Sequence, residues 1–492
     1  MLSARITLLV VSMAMATVAI QPGFKSRITQ RGLDFLRDIG MTELKSKVSS
    51  LTIPDQSGSA HIHHIGHIDY DLKNMRITSF NIPTSAITPK PEVGVTISFQ
   101  GASLSLHGDF HYKYKFIKDH GSFDVTVSEI STSFSIHVGV DESGRPTVSS
   151  SSTDCSFNAG KVSVKLHHGA SWFYNLFRDQ IAHELQKAIN KEVCDMIVKE
   201  INGDLSEEVA KLKVVIPLKD VAEIDYSLVA APIFDSSINT AHKGEVYAIG
   251  KHTEAPLPIP AIPSDPDVSR MFYMWMTDYV ANSAGYVLHN TGFLRYNVTQ
   301  KDLPSGGKIS LNTSEFPTSS FLPQVTKLYP GMMMKLILNT TAPPAIATNS
   351  DKVIATMQGD IAAYVIQSDQ NLIYLFTLGV DLSLSVTFGV NQSNLIWNST
   401  YESSDLTLVN SAVKGIQVDN LKTVLPLAMK FYLIPQLNEK GKTGVPLPNV
   451  KGYKFTNPSI TQGQGFIKIS TDLSHQPQAS NKLRFTKYER GE

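Results

Sequence analysis

Apolar and polar side chains alternate through a long segment of the first half of the chain, and this period of two constrains the fold most. The clearest runs are Val93–Phe99, Phe110–Phe116 and Phe134–Val140. Successive side chains of a β-strand point to opposite faces, so each run predicts a strand with one apolar face. Turn residues at Asp119–Gly121 and Asp141–Pro146 separate the runs. The segment therefore predicts a twisted antiparallel sheet with one buried face.

Segments with a helical period flank this sheet. Apolar residues recur every three to five positions from Pro22 to Leu51, and every three or four positions from Ser171 to Ile201. The second half repeats the order faintly, with a helical pattern from Met271 to Leu288, alternating strands, and a closing helix from about Leu421 to Leu437. This order predicts a duplicated α+β unit.

A proline-rich segment lies near the middle of the chain. Five prolines between Pro256 and Pro266 exclude a helix or a central strand there and favour a stiff, extended spacer. We therefore expect a signal peptide at residues 1–19, an N-terminal unit at 20–254, the linker at 255–266 and a C-terminal unit at 267–492.

The first 20 residues have the features of a secretory signal peptide. Arg5 precedes the uncharged apolar run Ile6–Ile20, and Thr17–Ala19 supplies the small residues that cleavage needs. N-glycosylation sequons occur in the second half, at Asn297, Asn312, Asn339, Asn391 and Asn398. These features predict a secreted, extracellular glycoprotein.

Cys155 and Cys194 are the only cysteines of the chain. In an oxidising compartment they most simply form a disulfide, and the alternative is a pair of buried free thiols. Because these residues flank the change from strand period to helix period, a bridge would hold the long helix on the sheet.

The sequence carries no recognisable enzyme motif. It lacks a nucleophile elbow, a phosphate-binding loop and a His-Glu-x-x-His pair. Its 44 basic and 44 acidic residues balance, which argues against a nucleic-acid binder. We therefore expect a protein that is not an enzyme and has no cofactor; a secreted hydrolase with a spatially assembled site is the least favoured alternative.

Histidines concentrate in the first half of the chain. Of the 15 histidines, four lie close together as His61, His63, His64 and His67. If this segment is one regular strand, His61, His63 and His67 share a face, which is compatible with zinc binding. A solvated strand face is the favoured interpretation, so we expect no metal. Because imidazole gains a proton near pH ~6.5, the four residues form a candidate pH-dependent cluster.

A second candidate site is cationic. The alternation places His111, Lys113 and Lys115 on the outward face of one strand, with Tyr112, Tyr114 and Phe116 facing the core, and Lys118 follows in the turn. Clustered lysines suit phosphate groups or anionic lipid headgroups. The alternative is an edge strand that carries lysine to block aggregation, and the pattern alone favours it.

Several motifs resemble one family. Pro22–Asp34, Leu51–Gly58, Tyr226–Pro232, Lys243–Tyr247 and Pro446–Pro448, with the two cysteines and the proline-rich linker, are similar to segments of the bactericidal permeability-increasing protein, lipopolysaccharide-binding protein and plasma lipid-transfer protein family. The resemblance covers nearly the whole chain after the signal peptide. It implies an α+β fold shaped like a boomerang, with two elongated barrels joined by a central sheet, each barrel packing a long helix on a twisted sheet.

The resemblance also implies the function. Family members hold phospholipid in apolar pockets, and the lipopolysaccharide-binding members use basic loops at the N-terminal tip, which match His111, Lys113, Lys115 and Lys118. A second matching stretch carries histidine where a strongly cationic member would carry lysine. We therefore expect a monomeric protein of innate defence that binds lipopolysaccharide, phospholipids and the bacterial outer-membrane surface. The alternative is a phospholipid-transfer protein without a bacterial role.

Overall fold

The computed structural model describes residues 21–49, 53, 55–62, 66–168, 182, 186, 190, 193–218, 221–303, 309–448 and 452–475. The expected signal peptide, His63 and His64 lie outside these residues. Most of the predicted helix 171–201 also lies outside them.

The chain begins with strand β1 (Phe24–Thr29), which leads directly into helix α1 (Gln30–Ser49). The prediction of a helix from Pro22 is therefore wrong for β1. Pairing in a sheet overrides the local pattern, because Phe24 and Thr29 become fully buried there. Thr29 then begins the helix, since its hydroxyl accepts a hydrogen bond from the N–H of Gly32 at 3.4 Å.

Eight antiparallel strands form the N-terminal sheet. They are β2 (Gln56–Ile62), β3 (Gly66–Asn81), β4 (Thr84–Lys90), β5 (Gly94–Tyr114), β6 (Ile117–Val140), β7 (Pro146–Ser149), β8 (Cys155–Asn158) and β9 (Lys161–His167). The main order is β2–β3–β5–β6–β7, with β4 beside β5 and both β8 and β9 beside β6. Met41 and Leu44 of α1 pack on the buried face of this sheet with Phe110 and Val125. The predicted sheet with one buried face is confirmed.

A long helical stretch follows the sheet. Helix α2 is described at residues 182, 186, 190 and 193–200, and it continues through a π-helical turn at Ile201–Leu205 into α3 (Ser206–Ala210). Cys155 of β8 and Cys194 of α2 form a disulfide with Cα atoms 5.6 Å apart. The bridge therefore joins the sheet to the helix, as the sequence predicts.

Short strands then lead to the middle of the molecule. They are β10 (Val215–Leu218), β11 (Ala222–Asp225), β12 (Ile233–Phe234), β13 (Ser237–His242), β14 (Glu245–Ala248) and β15 (Phe272–Thr277). Residues 252–270, which include the proline-rich segment, form no helix or strand. Helix α4 (Asp278–Asn290) follows β15 directly. The sequence predicted a helix from Met271, and its first part is wrong for the same reason as at β1: Tyr273 and Met274 are fully buried in a sheet.

The second half contains another curled sheet. Its strands are β16 (Tyr296–Val298), β17 (Met334–Thr340), β18 (Ala345–Thr348), β19 (Val353–Ile366), β20 (Leu372–Asn391), β21 (Asn394–Ser411) and β22 (Val445–Pro446). Its helices are α5 (Thr318–Phe321), α6 (Pro323–Leu328), α7 (Val418–Lys422), α8 (Leu425–Ala428) and α9 (Ile434–Thr443), with a π-helical turn at Met429–Leu433. Ile434 and Leu437 of α9 pack against Leu382 and Leu384 of β20.

A central sheet joins the two halves. The last strands, β23 (Tyr453–Gly463) and β24 (Phe466–His475), complete the order β12–β13–β1–β15–β24–β23. The pairing of β1 with β15 puts the first strand of one half against the first strand of the other. The α+β fold of two sheet-and-helix units joined by a central sheet is therefore confirmed.

Candidate functional site

The candidate lysines lie at the end of the β5–β6 hairpin. Lys113 pairs with Lys118 and Tyr114 pairs with Ile117, which leaves Lys115 and Phe116 as the two turn residues. Lys115 has a φ of 50°, in the left-handed region that two-residue hairpin turns use. We call the end of this hairpin the tip; its residues are His111, Lys113, Lys115, Phe116, Lys118 and His120.

Two details of the sequence prediction are wrong at the tip. Lys118 was expected in a turn before Gly121, but it lies in β6 directly opposite Lys113. Phe116 was expected to face the core, but its side chain is 100% exposed. Gly121 is instead a packing glycine within β6, because a Cβ there would lie 2.3 Å from the carbonyl oxygen of His167.

The three lysines are exposed and lie within one turn of the hairpin and the strand pair next to it. In the part of the chain that the structure describes, no ion pair involves Lys113, Lys115 or Lys118. Lys113 and Lys118 are direct cross-strand partners, an arrangement that like charges disfavour. Asp69 of β3 is the partner of Lys113 on its other side. The carboxylate of Asp69 offsets part of this repulsion, and a bound anion would relieve the rest.

An apolar group projects between the cations. Phe116 is completely exposed and its neighbour Ile117 is 52% exposed, whereas Phe110 and Tyr112 further along β5 are buried. The Nζ of Lys115 lies 5.1 Å from the centre of the Tyr114 ring. The tip therefore presents an aromatic ring beside cations, which is the combination that interfacial lipid contacts use.

The histidine cluster does not form one strand. β2 ends at Ile62 and β3 begins at Gly66, and His61 pairs with His67 across the two strands, their ring centres 4.9 Å apart. The tip contains a second pair that the sequence analysis missed, His111 and His120, stacked at 5.8 Å. The hairpin register would have revealed it, because it places residues 111 and 120 directly opposite each other.

A further polar group lies behind the tip. Asp124 of β6 contacts His107 Nδ1 of β5 and His167 Nε2 of β9, each at 2.7 Å. Hydrogen bonds from His107 and then His167 hold the pKa of the Asp124 carboxyl below its usual value. The carboxylate thus links three neighbouring strands.

The other candidate residues are distributed over the second half. Asn297, Asn339, Asn391 and Asn398 are exposed, and Asn312 is partly exposed.

Among the described residues, no group of three or more His, Cys, Asp or Glu is arranged to hold a metal ion. No helix in the described ranges is both long enough and apolar enough to span a bilayer.

The fold and the tip together define a protein of two sheet-and-helix units with a cationic, aromatic end. Family models described as the LBP / BPI / CETP family, N-terminal domain and C-terminal domain, match residues 32–207 and 217–475. The chain belongs to this family.

Individual relatives match over nearly their whole length. The chain is 35% identical to a bactericidal permeability-increasing protein of Sebastes schlegelii, covering 95% of this chain and 98% of the relative. It is 29% identical to the lipopolysaccharide-binding protein of Homo sapiens, covering 92% and 94%. A crystal structure of lipopolysaccharide binding protein superposes with a TM-score of 0.65 at 27% identity, covering 93% of this chain and 100% of that one. The predicted family and its boomerang fold are therefore confirmed.

Proposed function

We propose that this chain is a secreted protein of innate antibacterial defence that binds lipopolysaccharide through the tip and holds phospholipid in apolar pockets. The observation that carries the proposal is the grouping of Lys113, Lys115 and Lys118 around the exposed ring of Phe116. The names of the relatives, which include lipopolysaccharide-binding proteins, support the same ligand.

The chemistry of the tip suits a phosphorylated lipid. Lysine ammonium groups form charge-assisted hydrogen bonds with phosphate oxygens, and each cation near an anionic lipid surface contributes about 1 kcal/mol. Phe116 stands beyond the last strand pair, so it can enter the acyl region while Lys113 and Lys118 remain at headgroup level. This arrangement favours an amphiphile that combines phosphate with acyl chains over a soluble phosphate.

We place the phospholipid pockets between helix and sheet in each half. Met41 of α1 faces the N-terminal sheet, and Leu433 and Ile434 face β20 in the other half. These apolar interfaces support the proposal, since separating a helix from its sheet would expose apolar walls to acyl chains.

The remaining features of the proposal come from the sequence. We propose that the signal peptide 1–19 is cleaved and that the protein is secreted as a monomer, glycosylated at the five sequons. Its role is binding, without catalysis or a cofactor. The unit boundaries are 20–254, 255–266 and 267–492.

Binding of lipopolysaccharide by charge-reversed variants tests the proposal. Lys113, Lys115 and Lys118 are changed together to Glu, and the matched control changes three exposed lysines of the second half, Lys327, Lys414 and Lys454. At low salt, where such contacts are strongest, the tip variant is expected to lose about 100-fold in affinity. The control is expected to bind like the natural protein, and co-purified phospholipid is expected to be equal in all three. Equal affinity of the tip variant and the control would refute the assignment.

The alternative is a phospholipid-transfer protein without a bacterial role. Transfer of a fluorescent phospholipid between neutral vesicles separates the two functions. Rapid transfer together with absent lipopolysaccharide binding would favour the alternative.

A further inference from the structure

Histidines cover one face of the N-terminal sheet behind the tip. Direct cross-strand partners share a face of a sheet, as do residues two apart on one strand. The register pairs His61 with His67, His111 with His120, Asp69 with Lys113 and Ser122 with His167. Six histidines from five strands therefore share this face, namely His61, His67, His107, His111, His120 and His167.

This face points away from the core. The alternate residues of β5 and β6, including Phe110, Tyr112, Phe123 and Val125, are buried in the N-terminal core. His107 and Lys113 are six residue steps apart along β5, about 20 Å at roughly 3.3 Å per residue, and the five strands from β2 to β9 span about 19 Å. We call this surface, with its six histidines, the outer face.

The fixed charges of the outer face nearly cancel. Its cations are Lys73, Arg76, Lys113, Lys118, Lys161 and Lys165, of which Lys161 pairs with Glu129 at 2.7 Å. Its carboxylates are Asp69, Asp71, Asp109 and Asp124, and Asp55 lies beside them, 3.2 Å from the N–H of Asn74. The histidines therefore decide whether this surface is close to neutral or strongly positive.

Two pairs of histidines are also close to one another. The ring centres are 4.9 Å apart for His61 and His67, and 5.8 Å apart for His111 and His120. Two imidazolium ions at such distances repel each other, and an oxyanion placed between them removes the repulsion. His107 and His167 each use one ring nitrogen on Asp124, which leaves the other nitrogen for a ligand. Binding of a phosphate-bearing surface and uptake of protons are therefore coupled.

We propose that the outer face is a docking surface for a bilayer that carries phosphate headgroups, and that it engages in mild acid. The proposal rests on the proposed function and extends it, because contact is no longer limited to the end of the hairpin. At neutral pH the tip lysines bind alone. At acid pH the outer face of β3, β5, β6 and β9 also contacts the bilayer. Each additional cation near the surface raises the affinity about fivefold.

Vesicle binding at pH 7.5 and 5.5 tests this inference. The probe is a vesicle of phosphatidylcholine with phosphatidylglycerol, because a phosphodiester has no second ionisation in this range and only the protein changes charge. Pure phosphatidylcholine vesicles are the control. We expect affinity for the anionic vesicle to rise at least about tenfold on acidification, with little change for the neutral vesicle. A flat response, or an equal rise on neutral vesicles, would overturn the proposal.

Two double variants locate the contact. One variant changes His111 and His120 to Gln at the tip, and the other changes His107 and His167 to Gln behind it. His252→Gln is the matched control, because His252 follows β14 outside the outer face and its Nε2 lies 2.7 Å from the carboxylate of Glu223. Each double variant is expected to lose part of the acid response, with thermal midpoints measured alongside to verify folding. If the His107/His167 variant responds like the natural protein, the outer face behind the tip is not a docking surface.

The outcome also separates this inference from the proposed function. The charge-reversed lysine variant tests the tip at pH 7.5, where the His107/His167 variant, whose residues lie behind the tip, is expected to bind like the natural protein. Lysine-dependent binding at pH 7.5 without an increase in affinity at pH 5.5 would refute the outer face as a docking surface. The assignment of the tip would still stand.

Discussion

The carboxylate of Glu245 accepts a hydrogen bond of 2.7 Å from the backbone N–H of Ala255, where the linker leaves the first half. The same side chain accepts a bond of 2.9 Å from the hydroxyl of Tyr247, and it also hydrogen-bonds Tyr279 of α4. Burial, followed by these bonds to Glu245, raises the pKa of both tyrosines well above the usual value. One buried carboxylate therefore ties β14 to the linker and to the first helix of the second half.

Removing this carboxylate is expected to destabilise the junction. Glu245 is only 1% exposed, so Glu245→Ala leaves two buried hydroxyls and a backbone N–H without their partner. We expect a loss of about 2–5 kcal/mol in the free energy of unfolding, measured with urea. Glu254→Ala is the control, because Glu254 is 72% exposed and pairs with Lys243 on the surface. If both variants unfold at the same urea concentration, Glu245 does not hold the junction.

The disulfide is expected to stabilise the first half. It closes a segment of 39 residues, and replacing Cys155 or Cys194 with Ala should cost about 2–5 kcal/mol. The double variant is expected to lose no more than either single variant, because all three remove the same bridge. Thiol titration of the natural protein checks the premise, and two reactive thiols in unfolded, unreduced protein would contradict it.

Phe116 should contribute to lipid binding without contributing to folding. Its side chain is completely exposed, so Phe116→Ser is expected to leave the thermal midpoint unchanged. Because the ring of Phe116 can no longer enter the acyl region, binding to lipopolysaccharide-bearing vesicles should weaken by about 1–2 kcal/mol, or roughly 5- to 30-fold. Phe431→Ser is the matched control, since Phe431 is 73% exposed in the other half. An equal loss in both variants would indicate a general effect of surface hydrophobicity.

The strand pattern of β5 and β6 was predictable because one face of each strand is buried. The turn between them was not, because Lys115-Phe116 lacks the Asn-Gly or Gly residues that mark two-residue hairpins. Misplacing this turn hid both the exposure of Phe116 and the pairing of His111 with His120.

Strands β1 and β15 were missed for another reason. Each is six residues long and runs directly into a helix, so its apolar residues extend the helical pattern. Their true partners are each other and the distant strands β13 and β24, which local periodicity cannot detect. The outer face likewise depends on register across five strands, so the sequence placed its candidate pH-dependent cluster only at His61, His63, His64 and His67.

A last prediction concerns His242, which is partly buried in the central sheet. Its Nδ1 lies 2.7 Å from the carbonyl oxygen of Tyr226, and its Nε2 lies 2.7 Å from the hydroxyl of Thr240. Burial lowers the pKa of this imidazole, and the bond to Tyr226 opposes the shift only in part. Below pH ~6.5, His242 therefore binds a proton in the unfolded chain while it is still neutral in the folded protein.

The sign of the effect follows from this difference in proton uptake. The contribution of His242 to stability should fall as pH drops below ~6.5, by at most about 1.4 kcal/mol per pH unit, and level off once the folded protein also binds the proton. His242→Gln keeps a donor and an acceptor but cannot titrate. It loses the edge-to-face contact of the imidazole with the buried ring of Phe24, so it is expected to be less stable at pH 7.5. Urea midpoints from pH 7.5 to 5.0 should show the variant losing less stability than the natural protein, so that the two curves converge. Parallel curves would show that His242 protonates as readily in the folded protein as in the unfolded chain.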